Sequence, residues 1–144
     1  RDIRLTLLDS LGKRIAFLQE VCDALGLADV ACVHARAEEF AAAHREEFDI
    51  AVSRAVAALP MLCELCLPLV APGGEFLAMK SVECDEELRT AEKAIATLGG
   101  RVEEVRDYPV PGADLSHRLI RIRKERPTPG KYPRAFAKIK KSPL

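Results

Sequence analysis

The chain has 144 residues, enough for one core, and its 49% hydrophobic content is ordinary for a folded domain. No apolar run approaches 18 residues and no signal-peptide pattern opens the chain, so neither a transmembrane helix nor a secretory leader is expected. The formal net charge of zero hides an asymmetry: residues 115–144 hold ten Lys and Arg against Glu125 alone, +9 in all, which leaves −9 on the first 114 residues. A basic C-terminal segment on an acidic domain points to a polyanionic partner, nucleic acid before others; a solvated tail that aids solubility is the alternative.

The chain starts at Arg1-Asp2, almost inside a strand and without Met, as a fragment would. Leu5, Leu7 and Leu8 form a strand-length apolar run that ends at Asp9. Leu11, Ile15, Leu18, Cys22 and Leu25 then recur at helical spacing, with Ser10 placed to cap the helix and Gly26 to stop it. Residues 31–36 read as a second strand, followed by a short helix from Ala37-Glu38-Glu39-Phe40 with acids in its first turn. Residues 48–53 form a third strand, apolar enough for burial on both faces, ending at Ser53-Arg54-Ala55.

A helix spans Leu59–Leu69, stopped by Pro72-Gly73-Gly74. Glu75–Lys80 is a fourth strand, and Leu88, Ala91, Ile95 and Leu98 mark another amphipathic helix ending at Gly99-Gly100. Arg101–Val110 and Ser116–Arg123 are the last two strands. Alternating strands and helices imply right-handed crossovers and a parallel sheet, while the last pair, with no helix between them, must form an antiparallel hairpin. Pro127-Thr-Pro-Gly130 breaks the pattern and opens a basic tail expected to be extended and conditionally ordered. The expected division is an α/β domain over residues 1–124 and a tail over 125–144.

Five cysteines stand at 22, 32, 63, 66 and 84. Cys63-Glu-Leu-Cys66 has the spacing of a redox or metal pair, but it lies mid-helix among apolar neighbours with no second pair. No metal or redox role is expected, and the odd count suits a reducing, cytoplasmic setting.

Charged residues stand where strands end: Asp9, Glu38 just after the second strand, Arg54 and Lys80. In an open α/β sheet those ends line the ligand crevice. A strand that stops at a carboxylate and turns into a helix can offer that carboxylate to both hydroxyls of a ribose. The plainer reading of Asp9 is a helix-terminus partner, of Glu38 a first-turn acid, and of Lys80 a surface group. Arg54 is harder to dismiss, because a buried strand running into a guanidinium requires an anionic partner. His117 and His34 carry little catalytic weight.

Taken in order, Leu7-Leu-Asp-Ser-Leu-Gly-Lys-Arg14, Arg36-Ala-Glu38, Val52-Ser-Arg-Ala55, Leu65-Cys-Leu-Pro-Leu-Val70, Leu77-Ala-Met-Lys80 and Lys131-Tyr-Pro-Arg134 resemble the RsmG (glucose-inhibited division protein B) family, over essentially the whole chain. The resemblance implies an S-adenosylmethionine-dependent methyltransferase acting on N7 of a guanine in 16S rRNA of the small ribosomal subunit. It implies a class I, Rossmann-like sheet. By position it puts Asp9 at the cofactor ribose, Ala37 and Glu38 beside the adenine, Arg54 at the cofactor and active-site cleft, and Lys80, Tyr132 and Arg134 facing RNA. The tail lysines Lys138, Lys140 and Lys141 join the expected RNA contacts.

The family's glycine-rich loop and the strand before it are absent, so the sheet is expected to lack its first, central strand, which would lie between those ending at Asp9 and Ser53. The fragment alone is expected to be inactive and either poorly stable or assembled through the exposed edges. Rival readings are a methyltransferase of another substrate class, a nicotinamide-dependent oxidoreductase using an acid at the ribose, and a non-catalytic RNA-binding domain of the same fold.

Overall fold

A computed structural model of the chain describes residues 3–54 and 57–144. Ala55, which closes the strand-end sequence Ser53-Arg54-Ala55, lies outside them. The chain divides into two compact units, residues 1–40 and 41–144, each with its own sheet.

The first unit is a strand–helix–strand unit. β1 (Leu5–Asp9) and β2 (Val30–His34) pair in parallel, with Leu5 opposite Val30 and Asp9 opposite His34. Between them α1 (Gly12–Ala24) buries Ile15 and Cys22, while Leu11, Phe17 and Leu25 stay exposed. The buried stripe is thus narrower than the apolar periodicity predicts. The helix ends as expected: Gly26 takes φ +62°, and the Leu27 N–H reaches back to Cys22 O at 2.9 Å, which satisfies a terminal carbonyl. α2 (Ala37–Ala43) follows β2.

The second unit has a mixed four-stranded sheet in the order β3-β4-β6-β5. β3 (Phe48–Arg54) and β4 (Val70–Ser81) are parallel; β6 (Ser116–Lys124) is antiparallel to both β4 and β5 (Gly100–Pro109). The C-terminal hairpin is therefore present as expected. Among the described residues, no strand pairs with the outer edge of β3.

Two boundaries differ from the sequence reading. The helix over 59–69 ends at Cys66 as α3 (Leu59–Cys66), and a 3-10 turn takes Leu67–Leu69, since Pro68 has no N–H to continue the α pattern. β4 begins at Val70 rather than Glu75 and carries Pro72-Gly73-Gly74 within it. The register against β3 jumps from Phe48–Val70 to Ile50–Glu75 to absorb the extra residues. Any Cβ on Gly74 would overlap the Asp49 carbonyl, so glycine is what permits this approach.

α3 and α4 (Asp85–Thr97) pack on each other and on the sheet. Their core is Leu59, Leu62, Cys63, Phe76, Ile95, Leu98, Ile120 and Ile122, all at or below 2% exposure. Cys63 and Cys66 belong to this side of the helix. Burial pushes the Cys66 thiol up to about 12 and Cys63 well above its ordinary value, so both stay protonated packing groups. α5 (Phe136–Lys141) ends the chain, and its Ile139 is fully buried. The tail expected to be extended and conditionally ordered carries this helix, and residues before it hydrogen-bond to Glu46 and Glu64.

Candidate functional site

In the first unit, strand pairing sets Asp9 beside His34 at the carboxyl ends of β1 and β2. Asp9 Oδ1 accepts the Leu11 N–H at 2.8 Å, and Oδ2 accepts Arg14 Nη1 at 3.3 Å. Above all the Leu11 N–H, then Arg14, hold the Asp9 carboxyl below its usual range despite some opposing burial. Asp9, not Ser10, therefore caps the turn into α1. The Ser10 carbonyl instead accepts His34 Nε2–H at 3.1 Å, and the His34 ring covers Gly12.

At the end of β2, Ala37 and Glu38 open α2. Glu38 Oε1 accepts Arg36 Nε at 2.5 Å, and the Glu38 side chain is only 10% exposed. Asp9, Ala37 and Glu38 all belong to the first unit, and its sheet pairs the strand that ends at Asp9 with the strand that leads into Ala37 and Glu38. His34 carried little weight in the sequence; the register that sets it beside Asp9 appears only once the strands are paired.

In the second unit, Arg54 is the last residue of β3, opposite Met79 of β4. It is exposed, and among the described residues it makes no ion pair. Lys80, near the end of β4, is not a free surface cation. Its Nζ donates to Ala57 O at 2.9 Å and lies 2.7 Å from Glu87 Oε2, which also accepts the Leu59 N–H at 2.9 Å. With a side chain 9% exposed, Lys80 pins the start of α3 rather than facing outward.

The basic segment is likewise divided, six groups engaged within the unit and four exposed. Arg118, Arg121, Arg123, Lys124 and Arg134 all have carboxylate partners, and Arg126 donates to Ala96 O. Lys131, Lys138, Lys140 and Lys141 are exposed and make no ion pair among the described residues. Tyr132, at 6% exposure, belongs to the core. Arg134 donates through Nε and Nη2 to Glu64 at 2.8 and 2.6 Å. So Lys80, Tyr132 and Arg134, expected to face RNA, have their polar or aromatic groups engaged inside the unit, and the three α5 lysines do not. A shallow depression lined by Glu75, Arg101, Glu103, Arg121 and Arg123 offers no alternative site, because its charges are paired with one another or with near neighbours.

A family profile described as rRNA small subunit methyltransferase G (GidB) matches residues 1–111. The chain belongs to the rRNA small subunit methyltransferase G family. A curated relative of that name from Clostridium botulinum (strain Loch Maree / Type A3) is 49% identical over 145 residues, covering 99% of this chain. The chain spans 61% of that relative's length. Among solved structures, precorrin-6y C5,15-methyltransferase from Geobacter metallireducens superposes with a TM-score of 0.63 at 16% identity, over 85% of this chain and 67% of its own. TYW2 from M. jannaschii, in complex with AdoMet, superposes with a TM-score of 0.59 at 14% identity, over 84% of this chain and 58% of its own. At such identities these structures establish the fold, which is the Rossmann-like α/β fold of class I methyltransferases.

Proposed function

We propose that the protein containing this chain transfers the methyl group of S-adenosylmethionine to N7 of a guanine in 16S rRNA of the small ribosomal subunit. The observation that carries the reading is the 49% identity to an rRNA small subunit methyltransferase G across 99% of the chain. The compartment that follows is the cytoplasm; no helix among the described residues is long and apolar enough to cross a membrane.

The residues fit the cofactor in one respect that the geometry supplies. Asp9 is held toward its ionised form at a strand end, and among the described residues its Oδ2 has only an exposed arginine at 3.3 Å, which leaves acceptor capacity for ribose hydroxyls. Ala37 and Glu38 are assigned to the adenine, with Glu38 held in place by Arg36. When bound, the cofactor supplies an electrophilic methyl group. Guanine N7 has an available lone pair, so no side chain need remove a proton, and the protein's task is alignment. Arg54 suits that task as a permanent cation that orients anionic groups; a guanidinium is a poor acid or base near neutral pH.

RNA contact in this reading falls on Lys138, Lys140 and Lys141, joined by Lys131. Lys80, Tyr132 and Arg134 act from inside the fold, by holding the elements that carry the contacts. Incubating the full-length protein with labelled S-adenosylmethionine and small subunits lacking the modification should yield 7-methylguanine in 16S rRNA. Label in protein or small molecules, with none in RNA, would defeat the proposal.

A further inference from the structure

The segment after β6 is fixed from its first residue. The N–H groups of Glu125 and Arg126 donate to Gly99 O at 2.8 and 3.0 Å. Gly99 has φ +89°, and any Cβ there would overlap the Arg126 carbonyl, so the close pass requires glycine. Thr128 donates its hydroxyl to Leu98 O at 2.7 Å and its N–H to Glu46 Oε1 at 2.7 Å. Glu46 is itself tied to Lys124, whose buried Nζ also donates to Leu67 O and Val70 O.

One guanidinium then gathers the next turn. Arg45 donates Nη1 to Tyr132 O at 2.6 Å and Nη2 to Thr128 O and Pro129 O at 2.5 and 3.0 Å. Last, Glu64 receives three N–H groups of Arg134: the backbone N–H at 2.9 Å and two from the guanidinium. Glu64 is fully buried among apolar residues of α3, where a lone carboxylate is strongly disfavoured unless several donors reach it. Its donors all come from a residue 70 positions later in the chain.

We infer that residues 125–134 form a pinned strap, and that Arg45, Glu46 and Glu64 are positioning residues that present Lys131, Lys138, Lys140 and Lys141 to RNA phosphates in a fixed arrangement, a conclusion that rests on the proposed RNA substrate. A free basic tail must be ordered at the moment of binding, whereas a strap ordered by folding carries no such cost into the complex. The strap lies wholly beyond the residues matched by the family profile, which end at 111, whereas Arg45, Glu46 and Glu64 lie within them.

Glu64→Gln separates the strap from simple electrostatics. The substitution makes the protein more positive by one charge and leaves every exposed lysine in place, so charge alone tightens RNA binding. Loss of the strap instead weakens it, by roughly tenfold as the lysines become independently tethered. The slope of log K against log salt should stay within one phosphate contact of wild type, about 0.7–0.9. Lys138→Gln/Lys141→Gln in the same full-length protein should do the opposite and flatten that slope by about two contacts. Cofactor affinity, read by calorimetry, reports that each variant is folded.

Hydrogen exchange of the wild-type protein reads the strap without any substitution: the Thr128 and Arg134 amides should be protected, and in Glu64→Gln the Arg134 amide should open first. Free-chain exchange at those amides in the wild type overturns the strap, as does unchanged or tighter RNA binding by Glu64→Gln. Salt-independent RNA binding by the wild type defeats the RNA reading itself, and the presenting role with it.

Discussion

The second unit adds long-range charged contacts to local ones such as Arg89–Glu86, whereas the ion pairs described in the first are all local. In the first, Asp9 bonds to Leu11 and Arg14, and Arg36 bonds to Glu38, all within five positions. In the second, Lys124 reaches back to Glu46, Arg45 to Tyr132, and Arg134 to Glu64, across 70 to 87 positions. The Asp9 pair shapes a turn and leaves the carboxylate partly open to solvent, where a ligand can compete for it. Long-range pairs in a buried setting close the fold and remove their members from ligand binding. A carboxylate at a strand end and a carboxylate in a core helix thus have different fates although both are ion-paired.

The largest effect expected from this contrast is on stability. Arg134→Met leaves Glu64 buried without its donors, and breaking a buried pair in this way should destabilise the second unit by about 3 kcal/mol. That is the low end of the usual range, because the Arg134 side chain keeps 16% exposure. Denaturant unfolding would measure it. A loss below about 1 kcal/mol, the scale of exposed pairs, would erase the distinction between the two kinds of pair. The double variant Glu64→Met/Arg134→Met removes both charges and should recover much of the loss.

Arg54, like Lys131 and the three α5 lysines, is an exposed cation with no ion pair among the described residues, but it stands at a strand end, and its role should be chemical rather than structural. If the full-length protein has the proposed activity, Arg54→Ala should lower its single-turnover rate at saturating RNA by about a hundredfold, the effect of removing one preorganised electrostatic group. The salt slope of RNA binding should hardly change. A normal saturated rate with weakened RNA affinity would move Arg54 from alignment to simple phosphate binding.

The first unit supplies the next test. Asp9→Ala should weaken cofactor binding in the full-length protein by about 1–3 kcal/mol, the range for hydrogen bonds to a charged group, as read by calorimetry. The cap to Leu11 is lost as well, so a parallel melting curve is needed: a shift in stability with unchanged affinity would leave Asp9 a capping residue only.

The same contrast decides what was legible in the sequence. Local periodicity and turn chemistry marked every strand and most helix ends, because Gly26 and Gly99 stop their helices through residues close by. The C-terminal hairpin followed from the absence of an intervening helix. Ser10 was misjudged as the cap, since Asp9 two residues before Leu11 offers a carboxylate to the same turn. The Pro-Gly composition and charge of the tail describe a free segment and hide the helix α5, because the groups that bond the tail lie far back in the chain at Arg45, Glu46 and Glu64. One signal was available. Glu64 is the sole charged residue between Leu59 and Val70, and a single acid inside an apolar helix needs a partner. Sequence alone does not say that the partner is residue 134.

The smallest effect expected concerns acid, and it again separates the two ranges. Burial alone would raise the Glu46 carboxyl, but the Thr128 N–H and the Lys124 ammonium outweigh it and hold the group below its ordinary value of 4.5. Between that ordinary value and the depressed native one, the unfolded chain binds more protons than the folded one. Glu46 therefore contributes stability that is full above pH 4.5 and is lost as pH falls through the native value. Lys124 acts at the other end. Burial lowers its ammonium below 10.5 in spite of Glu46, so the folded state releases a proton first and stability rises as pH climbs toward that value. Unfolding free energies of the wild type should consequently climb between about pH 3 and 5, and Glu46→Gln should flatten that limb while widening the alkaline one, because Lys124 loses the carboxylate that offsets its burial. Asp9 is also depressed, but chiefly by the Leu11 N–H and Arg14, local contacts that a denatured chain can partly retain, so Asp9→Asn should flatten the acid limb less than Glu46→Gln does. An equal or larger effect at Asp9 would show that its short-range cap holds as firmly as the strap.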